Sequence, residues 1–207
     1  MRNRTSKENL KEGKITGAEN KPKASVFIDY RNYHYYLEKY KWNIDWGKFK
    51  MFLSSMYDIN KIYFYEGIPS KIVFFDLYPA SSLEDFVNMR QEKNQEFKSL
   101  EEKGFTIRKK LVNRIYDAKE KKYKHKCNFD VELTIDAIDN LDDYEVCVLC
   151  SGDGDFVKLI RYLKGKHKTV IVMAGKDRLS SLLKKAAHQF MYLKNMKPDI
   201  MKSQAGS

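Results

Sequence analysis

The hydrophobic and polar positions of the chain alternate between short apolar runs and longer segments with helical spacing. Apolar runs predict strands at residues 25–29, 61–66, 105–112, 146–149, 168–173 and 190–193. Helical spacing predicts helices at residues 45–53, 82–103, 130–141, 155–163 and 180–187. Because strands and helices alternate, the pattern predicts an α/β fold with a mostly parallel sheet covered on both faces.

The two ends of the chain depart from this pattern. Residues 1–23 are polar and basic and predict a flexible arm, while residues 195–207 predict a flexible tail. A single globular domain is expected between them, at 24–194. No apolar run reaches the length of a membrane-spanning helix, and no secretory signal pattern is present. We therefore expect a cytoplasmic protein without a membrane partner.

The three cysteines do not indicate a disulfide framework, and they fit a reducing compartment. Cys147 and Cys150 have the C-x-x-C spacing of zinc and redox motifs. On a strand, however, residues three apart face opposite sides of the sheet. We therefore expect buried structural cysteines here.

Acidic residues follow two of the predicted strands. Asp29 ends the first, and Asp153 and Asp155 flank Gly154 just after the strand at 146–149. In a parallel sheet the carboxyl ends of the strands meet at one edge, where open α/β sheets bind ligands. For each acid the alternative is a helix N-cap. Two acids around one glycine exceed what a single cap requires.

A further acid, Asp130, begins the predicted helix at 130–141. A helical wheel places Asp130 in the same arc as Val131, Leu133 and Ile135, with Asp136 on the opposite side. A carboxylate that faces the interior is costly unless it is paired or binds a metal. An N-cap is again the alternative. Clustered aspartates without histidine or cysteine favour Mg²⁺ or Mn²⁺ over Zn²⁺.

The charge of the chain favours an anionic partner. The 39 Lys and Arg residues outnumber the 28 Asp and Glu residues, which gives a formal net charge of +11. The segment 108–126 is the most basic part, and Tyr116, Tyr123 and His125 are interleaved as stacking surfaces. The alternative is a solvated β-hairpin with its turn at 116–121. The predicted nucleic-acid-binding residues are Arg108, Lys109, Lys110, Arg114, Lys121, Lys122, Lys124 and Lys126.

Three groups of residues, taken in order, resemble a known family. They are Asp29 with Asn32; then Lys126, Asp130, Val131, Leu133, Asp136 and Ala137; and then Ser151, Gly152, Asp153, Asp155 and Phe156. This order resembles the NYN domains of the LabA-like group, in the PIN-like nuclease superfamily. The likeness extends from about residue 24 to residue 193.

The resemblance implies a three-layer α/β/α fold and a carboxylate cluster that binds Mg²⁺ or Mn²⁺ and hydrolyses RNA phosphodiester bonds. RNA is favoured over DNA by the resemblance alone. The implied catalytic residues are Asp29, Asp130, Asp153 and Asp155, and the implied metal ligands are Asp29, Asp130, Asp153 and Asp136. Asn32 and Ser151 are expected to orient these acids or to contact the substrate.

Two positions depart from the family pattern. Tyr30 stands where the family often has glycine, and Phe129 precedes Asp130 where a lysine–glycine pair is frequent. Both add bulk near the expected site. The alternative to a metal-dependent ribonuclease is therefore a nucleic-acid-binding module that keeps the fold without catalysis. A haloacid dehalogenase-type phosphatase does not fit, because Arg31 occupies the position of its second aspartate.

Overall fold

A computed structural model describes residues 21–203 of the chain. Its centre is a seven-stranded sheet in the order β4-β3-β2-β1-β5-β6-β7, in which only β4 is antiparallel to its neighbour. The strands are β1 (Lys23–Asp29), β2 (Asp58–Pro69), β3 (Phe105–Asp117), β4 (Lys122–Lys126), β5 (Val146–Cys150), β6 (Thr169–Ala174) and β7 (Gln189–Tyr192).

Helices cover both faces of this sheet. They are α1 (Tyr30–Tyr40), α2 (Trp46–Met56), α3 (Lys71–Leu77), α4 (Leu83–Glu102), α5 (Asp130–Asp139), α6 (Val157–Gly165), α7 (Ser181–Ala186) and α8 (Leu193–Ile200). One apolar cluster contains buried residues of α1, α2, α4 and α8, and a second contains those of α5, α6 and α7. The predicted three-layer α/β/α architecture with a mostly parallel sheet is confirmed.

Local signals explain where the predicted helices begin and end. The Asp45 carboxylate accepts a hydrogen bond from the Lys48 amide at 3.1 Å and caps α2. Ser82 and Asp85 form a reciprocal capping box at the start of α4. Gly104, with φ of +86°, follows α4 and turns the chain into β3.

The C-terminal part of the chain differs from the prediction. Helix α8 extends to Ile200, and its Met196 and Ile200 are buried against the first apolar cluster. The expected flexible tail is therefore wrong for residues 195–200, because burial of these two side chains outweighs the polar local composition and Pro198. Residues 1–20 of the expected basic arm lie outside the described residues.

Helix α5 also differs in the face that it buries. Leu133 and Ala137 are fully buried, whereas Val131 is 67% exposed and Ile135 is 50% exposed. The predicted apolar arc is therefore too wide on one side, because Val131 and Ile135 face away from the second apolar cluster, to which Leu133 and Ala137 belong. Asp130 lies at the N-terminal end of this helix and is partly buried.

The cysteine prediction agrees with the structure. Cys147 and Cys150 are both buried in β5, and they belong to opposite apolar clusters. Their sulfur atoms thus face opposite sides of the sheet. Across residues 21–203, every helix is too short or too polar to cross a membrane.

Candidate active site

The carboxyl ends of β1 and β5 lie side by side in the middle of the sheet. Ile28 pairs with Cys150, so the next residues, Asp29 and Ser151, emerge together. The strand order reverses at β1, because β2 lies on one side of it and β5 on the other. Such a topological switch point opens a crevice at the carboxyl edge, where α/β sheets bind ligands.

Three aspartates meet above this crevice. Carboxylate oxygens of Asp130, Asp153 and Asp155 all lie within 4.8 Å of one another. Asp29 lines the same cleft as Asp130 and Asp153, a cavity of ≈ 290 Å³. We call these four residues the acid cluster. Helix α5 contributes Asp130, and the loop after β5 contributes Asp153, which brings distant parts of the sequence together.

Asp29 is the most deeply placed member of the acid cluster. Its Oδ2 accepts a hydrogen bond from the Ser151 hydroxyl at 2.9 Å, and its Oδ1 accepts one from the Asn32 amide at 3.4 Å. Burial raises the pKa of this carboxyl, the two hydrogen bonds lower it, and Asp130 and Asp153 raise it further, so that it lies above its ordinary value.

Asp130 is also held close to like charges. The Asn128 side-chain amide donates to its Oδ2 at 2.6 Å, and the Asp130 amide donates to Asn128 Oδ1 at 2.7 Å. Burial and the neighbouring charges of Asp153 and Asp155 raise the pKa of the Asp130 carboxyl above its ordinary value. A divalent cation would relieve this repulsion, and it prefers oxygen ligands such as these.

The N-cap alternative accounts for part of this arrangement. Asp29 caps α1, and the Oδ1 of Asp153 accepts the Asp155 amide at 3.0 Å and caps the short 3₁₀ turn there. Asp130 does not cap α5 with its side chain. The cap of Asp153 uses Oδ1 and leaves Oδ2 for a metal ion. In Asp29 the second oxygen, Oδ2, already accepts from Ser151, so a metal ion there would use a remaining lone pair.

Asn32 and Ser151 form hydrogen bonds with the loop after β5. The side-chain oxygen of Asn32 accepts the Gly152 amide at 3.1 Å, and the Ser151 hydroxyl oxygen accepts the Asp153 amide at 3.2 Å. These bonds tie the start of α1 to the loop after β5. They fix the position of Asp153 relative to Asp29.

Asp136 is not part of the acid cluster, and its predicted role as a metal ligand is corrected. Arg108 donates to both of its oxygens at 2.9 Å, and the Tyr65 hydroxyl donates to Oδ2 at 2.9 Å. Burial raises the pKa of the Asp136 carboxyl, but these hydrogen bonds outweigh it and hold the pKa below its ordinary value. Asp136 lies six residues along α5 from Asp130 and faces Tyr65 and Arg108 of the sheet, not the side opposite the buried residues that the wheel predicts.

Two arginines that the sequence analysis did not single out as ligands line the cleft. Arg31 donates to the Cys127 carbonyl at 3.0 Å, and Arg178 lies with its guanidinium carbon 4.8 Å from the centre of the Tyr35 ring. Gly152 permits the approach of the Arg178 loop, because a Cβ at Gly152 would lie 2.2 Å from the Arg178 carbonyl oxygen. The only sequence signal for Arg178 is its position shortly after the strand β6.

The basic segment forms the predicted hairpin, with β3 antiparallel to β4. Most of the predicted nucleic-acid-binding residues there are already ion-paired. The pairs are Arg108 with Asp136, Lys110 with Glu132, Arg114 with Asp76, Lys122 with Glu120, and Lys124 with Asp117 and Glu120. Among the described residues, Lys109, Lys121 and Lys126 have no such acidic partner. Of these, Lys126 lines the cleft.

The two bulky departures from the family pattern have different positions. The Tyr30 ring packs against Phe64, with ring centres 5.0 Å apart, and it does not line the cleft of the acid cluster. Phe129 is buried against Tyr65 and forms part of the cleft wall. The added bulk of Tyr30 therefore leaves the acids accessible.

Comparisons with known proteins agree with this architecture. The chain is 24% identical to the low amplitude and bright protein LabA of Synechococcus elongatus over 181 residues. The aligned region covers 87% of this chain and 88% of that protein. A crystal structure of a protein of unknown function from Vibrio parahaemolyticus has a similar fold, with a TM-score of 0.66 at 22% identity over 90% of this chain and 100% of that one. The model of the NYN domain matches residues 23–194, and the chain therefore belongs to the NYN domain family.

Proposed function

We propose that this protein is a ribonuclease that hydrolyses RNA phosphodiester bonds with Mg²⁺ or Mn²⁺ held by the acid cluster. The observation that carries the proposal is the convergence of Asp130, Asp153 and Asp155 within 4.8 Å, beside the buried Asp29. NYN domains belong to the PIN-like nuclease superfamily, which supports the same conclusion.

The donor set fits a hard divalent cation. All four side chains are carboxylates, and the raised pKa values of Asp29 and Asp130 indicate charge that lacks compensation from the protein. When bound, the cation would activate a water molecule and neutralise charge on the phosphate oxygens. Asp130, Asp153 and Asp155 would hold it, with Asp29 at the base of the cleft.

Other residues of the cleft would position the substrate. Arg31, Lys126 and Arg178 line it and supply positive charge for the phosphate backbone. Tyr35 is close to both arginines, with the Arg31 guanidinium carbon 5.7 Å and that of Arg178 4.8 Å from its ring centre. Ser151 and Asn32 hold the acids in position and are not required to contact the RNA.

The direct test is an assay of labelled RNA and DNA, single-stranded and structured, in Mg²⁺, in Mn²⁺ and in EDTA. We expect cleavage of RNA with either metal and none with EDTA. Binding of RNA without cleavage in any metal would support the alternative, a nucleic-acid-binding module without catalysis.

We predict that the Asp29→Asn variant without metal is at least as stable as the natural protein at neutral pH. The pKa of Asp29 is raised in the folded state, so ionisation of this carboxyl destabilises the fold as the pH rises from its ordinary value of 3.8. Asparagine does not ionise, and its advantage should disappear in acid. Thermal unfolding in EDTA at acidic and neutral pH measures the difference.

Asp45→Asn is the matched control, because Asp45 caps α2 away from the acid cluster. It should give no gain in stability over the natural protein at neutral pH. Added Mg²⁺ should raise the melting temperature of the natural protein in a concentration-dependent way, since it binds only the folded state. An Asp29→Asn variant that is clearly less stable at neutral pH would show that capping outweighs repulsion.

A further prediction concerns the basic residues of the cleft. Replacing Lys126 and Arg178 together by glutamine should weaken binding of single-stranded RNA and lower the salt slope, by about 0.7 per lost phosphate contact. The control replaces Lys121 and Lys122, which changes the net charge equally but removes lysines of the hairpin that line neither the cleft nor the cavity beside it. Binding titrations over a range of salt concentrations compare the two variants. If both variants lower the salt slope equally, the phosphate contact belongs to the hairpin as a whole.

A further inference from the structure

A second cavity adjoins the cleft of the acid cluster. It has a volume of ≈ 640 Å³ and shares Arg31, Tyr35, Cys127 and Phe129 with the cleft. This size lies within the range of about 300–1,000 Å³ that is usual for small-molecule sites. A strand whose phosphate lies at the acid cluster can therefore place a neighbouring nucleotide in this cavity.

The walls of this cavity offer flat aromatic surfaces. The exposed rings are those of Tyr78, just after α3, and His34 in α1, whereas Phe74 and Phe129 are buried in the wall. Aromatic side chains stack on unpaired bases of single-stranded nucleic acids. The cavity thus combines stacking surfaces with direct access to the site of hydrolysis.

One group in the wall is short of hydrogen-bond donors. Glu66 on β2 is only 7% exposed, and its Oε1 accepts from Lys93 Nζ at 2.7 Å. Its Oε2 has no hydrogen-bond partner in the described part of the chain. A buried carboxylate oxygen without a donor is costly, which points to a ligand that supplies one.

The raised pKa of Glu66 agrees with the missing hydrogen bond to its Oε2. Burial raises its pKa to about 7, even though the adjacent Lys93 lowers it. Glu96 also accepts from Lys93, at 2.8 Å, and it contributes to the same rise. A ligand that donates N–H groups to Glu66 would stabilise the ionised form of this carboxyl.

We infer that this cavity, which we call the base pocket, binds one unpaired guanine of the RNA strand that the acid cluster hydrolyses. Guanine presents two adjacent N–H donors, N1 and the 2-amino group, and next to them the acceptor O6. The Glu66 carboxylate, whose Oε2 is buried in the free protein, would turn towards the base and accept from both donors, and Lys93, which also lines the base pocket, would donate to O6. The other RNA bases match fewer of these groups. This inference rests on the proposed ribonuclease function and adds a base preference to it.

The test compares short single-stranded RNAs that are identical except at one position, which holds guanine, inosine or no base. Inosine lacks only the 2-amino group. Binding is measured by fluorescence anisotropy in Ca²⁺, and the RNA is checked afterwards to be intact. We expect guanine to bind about tenfold more tightly than inosine, because one hydrogen bond to a charged group is lost. The RNA without a base should bind more weakly still.

Glu66→Gln should lower the ratio of the affinities for the guanine and inosine RNAs towards one. Glu96→Gln is the matched control, because Glu96 also pairs with Lys93 but does not line the base pocket. It should keep the preference. If Glu66→Gln does not fold, the comparison of guanine with inosine on the natural protein decides alone.

The remaining outcomes separate the base pocket from the nuclease. Equal binding of all three RNAs, together with metal-dependent cleavage, would overturn the base pocket and leave the proposed function intact. Lack of binding to any RNA, together with lack of cleavage, would overturn both. Free guanosine monophosphate that binds as tightly as the guanine RNA would show a mononucleotide site and overturn the inference for a strand.

Discussion

Asp153→Asn is expected to lower metal-dependent RNA cleavage by more than about hundredfold, since even partners that only orient metal ligands contribute 10- to 100-fold. The substitution removes the charge of one carboxylate of the acid cluster without changing its volume. The asparagine oxygen can still accept the Asp155 amide, which Asp153 accepts at 3.0 Å, so the 3₁₀ turn is preserved. Initial cleavage rates in Mg²⁺ and Mn²⁺ measure the effect.

Asp139→Asn is the control for this experiment. Asp139 is an exposed acid at the end of α5, the same helix that begins with Asp130, and its replacement changes the net charge equally. It should leave cleavage unchanged. Unaltered cleavage by a purified Asp153→Asn protein with an intact fold would contradict the assignment of the active site.

The second large effect is expected for Gly152→Ala. An added Cβ would lie 2.2 Å from the Arg178 carbonyl oxygen and 2.6 Å from its carbonyl carbon, and backbone atoms cannot move aside cheaply. Overpacking of this kind costs about 1–3 kcal/mol, or more where backbone must shift. For a chain of this size that lowers the melting temperature by roughly 2–4 °C per kcal/mol. Cleavage should fall as well, because the loop after β5 contains Asp153.

Gly165→Ala provides the control for this substitution. Gly165 ends α6, and an added Cβ there would meet no atom within 4 Å. In a helix, alanine is favoured over glycine by about 0.5–1 kcal/mol, so this variant should be slightly stabilised. Thermal unfolding of both variants decides the matter. Gly152→Ala with the melting temperature of the natural protein would show that the loop around Arg178 adjusts at little cost.

The sheet and most helices could be predicted from the sequence because their signals are local. The apolar runs of β1 and β5 are uninterrupted, and Ser82, Asp85 and Gly104 delimit α4. Helix α8 could not be predicted in this way. Its stability comes from Met196 and Ile200, which pack against residues far away in the sequence.

The candidate site was predictable to the extent that strand ends determine it. Asp29 and Asp153 follow strands that pair in the sheet, so their proximity follows from the topology. Asp136 shares a sequence motif with Asp130, but a pair with Arg108 from a different strand decides its position. The same is true of Arg178, whose approach depends on the absence of a side chain at Gly152. Such pairings between distant segments carry no local signal.

The lysines of β4 have a consequence beyond substrate binding. In the described part of the chain, β4 is the last strand on one side of the sheet, so one row of its backbone amides and carbonyls has no neighbouring strand. Exposed edges of this kind invite pairing with a second molecule, and short strands with charged side chains oppose it. The strand has only five residues, with Lys122, Lys124 and Lys126 at alternate positions. The short length of β4 and its charged side chains should therefore keep copies of the protein from joining edge to edge. Lys126 should contribute most, because Lys122 and Lys124 are ion-paired within the hairpin.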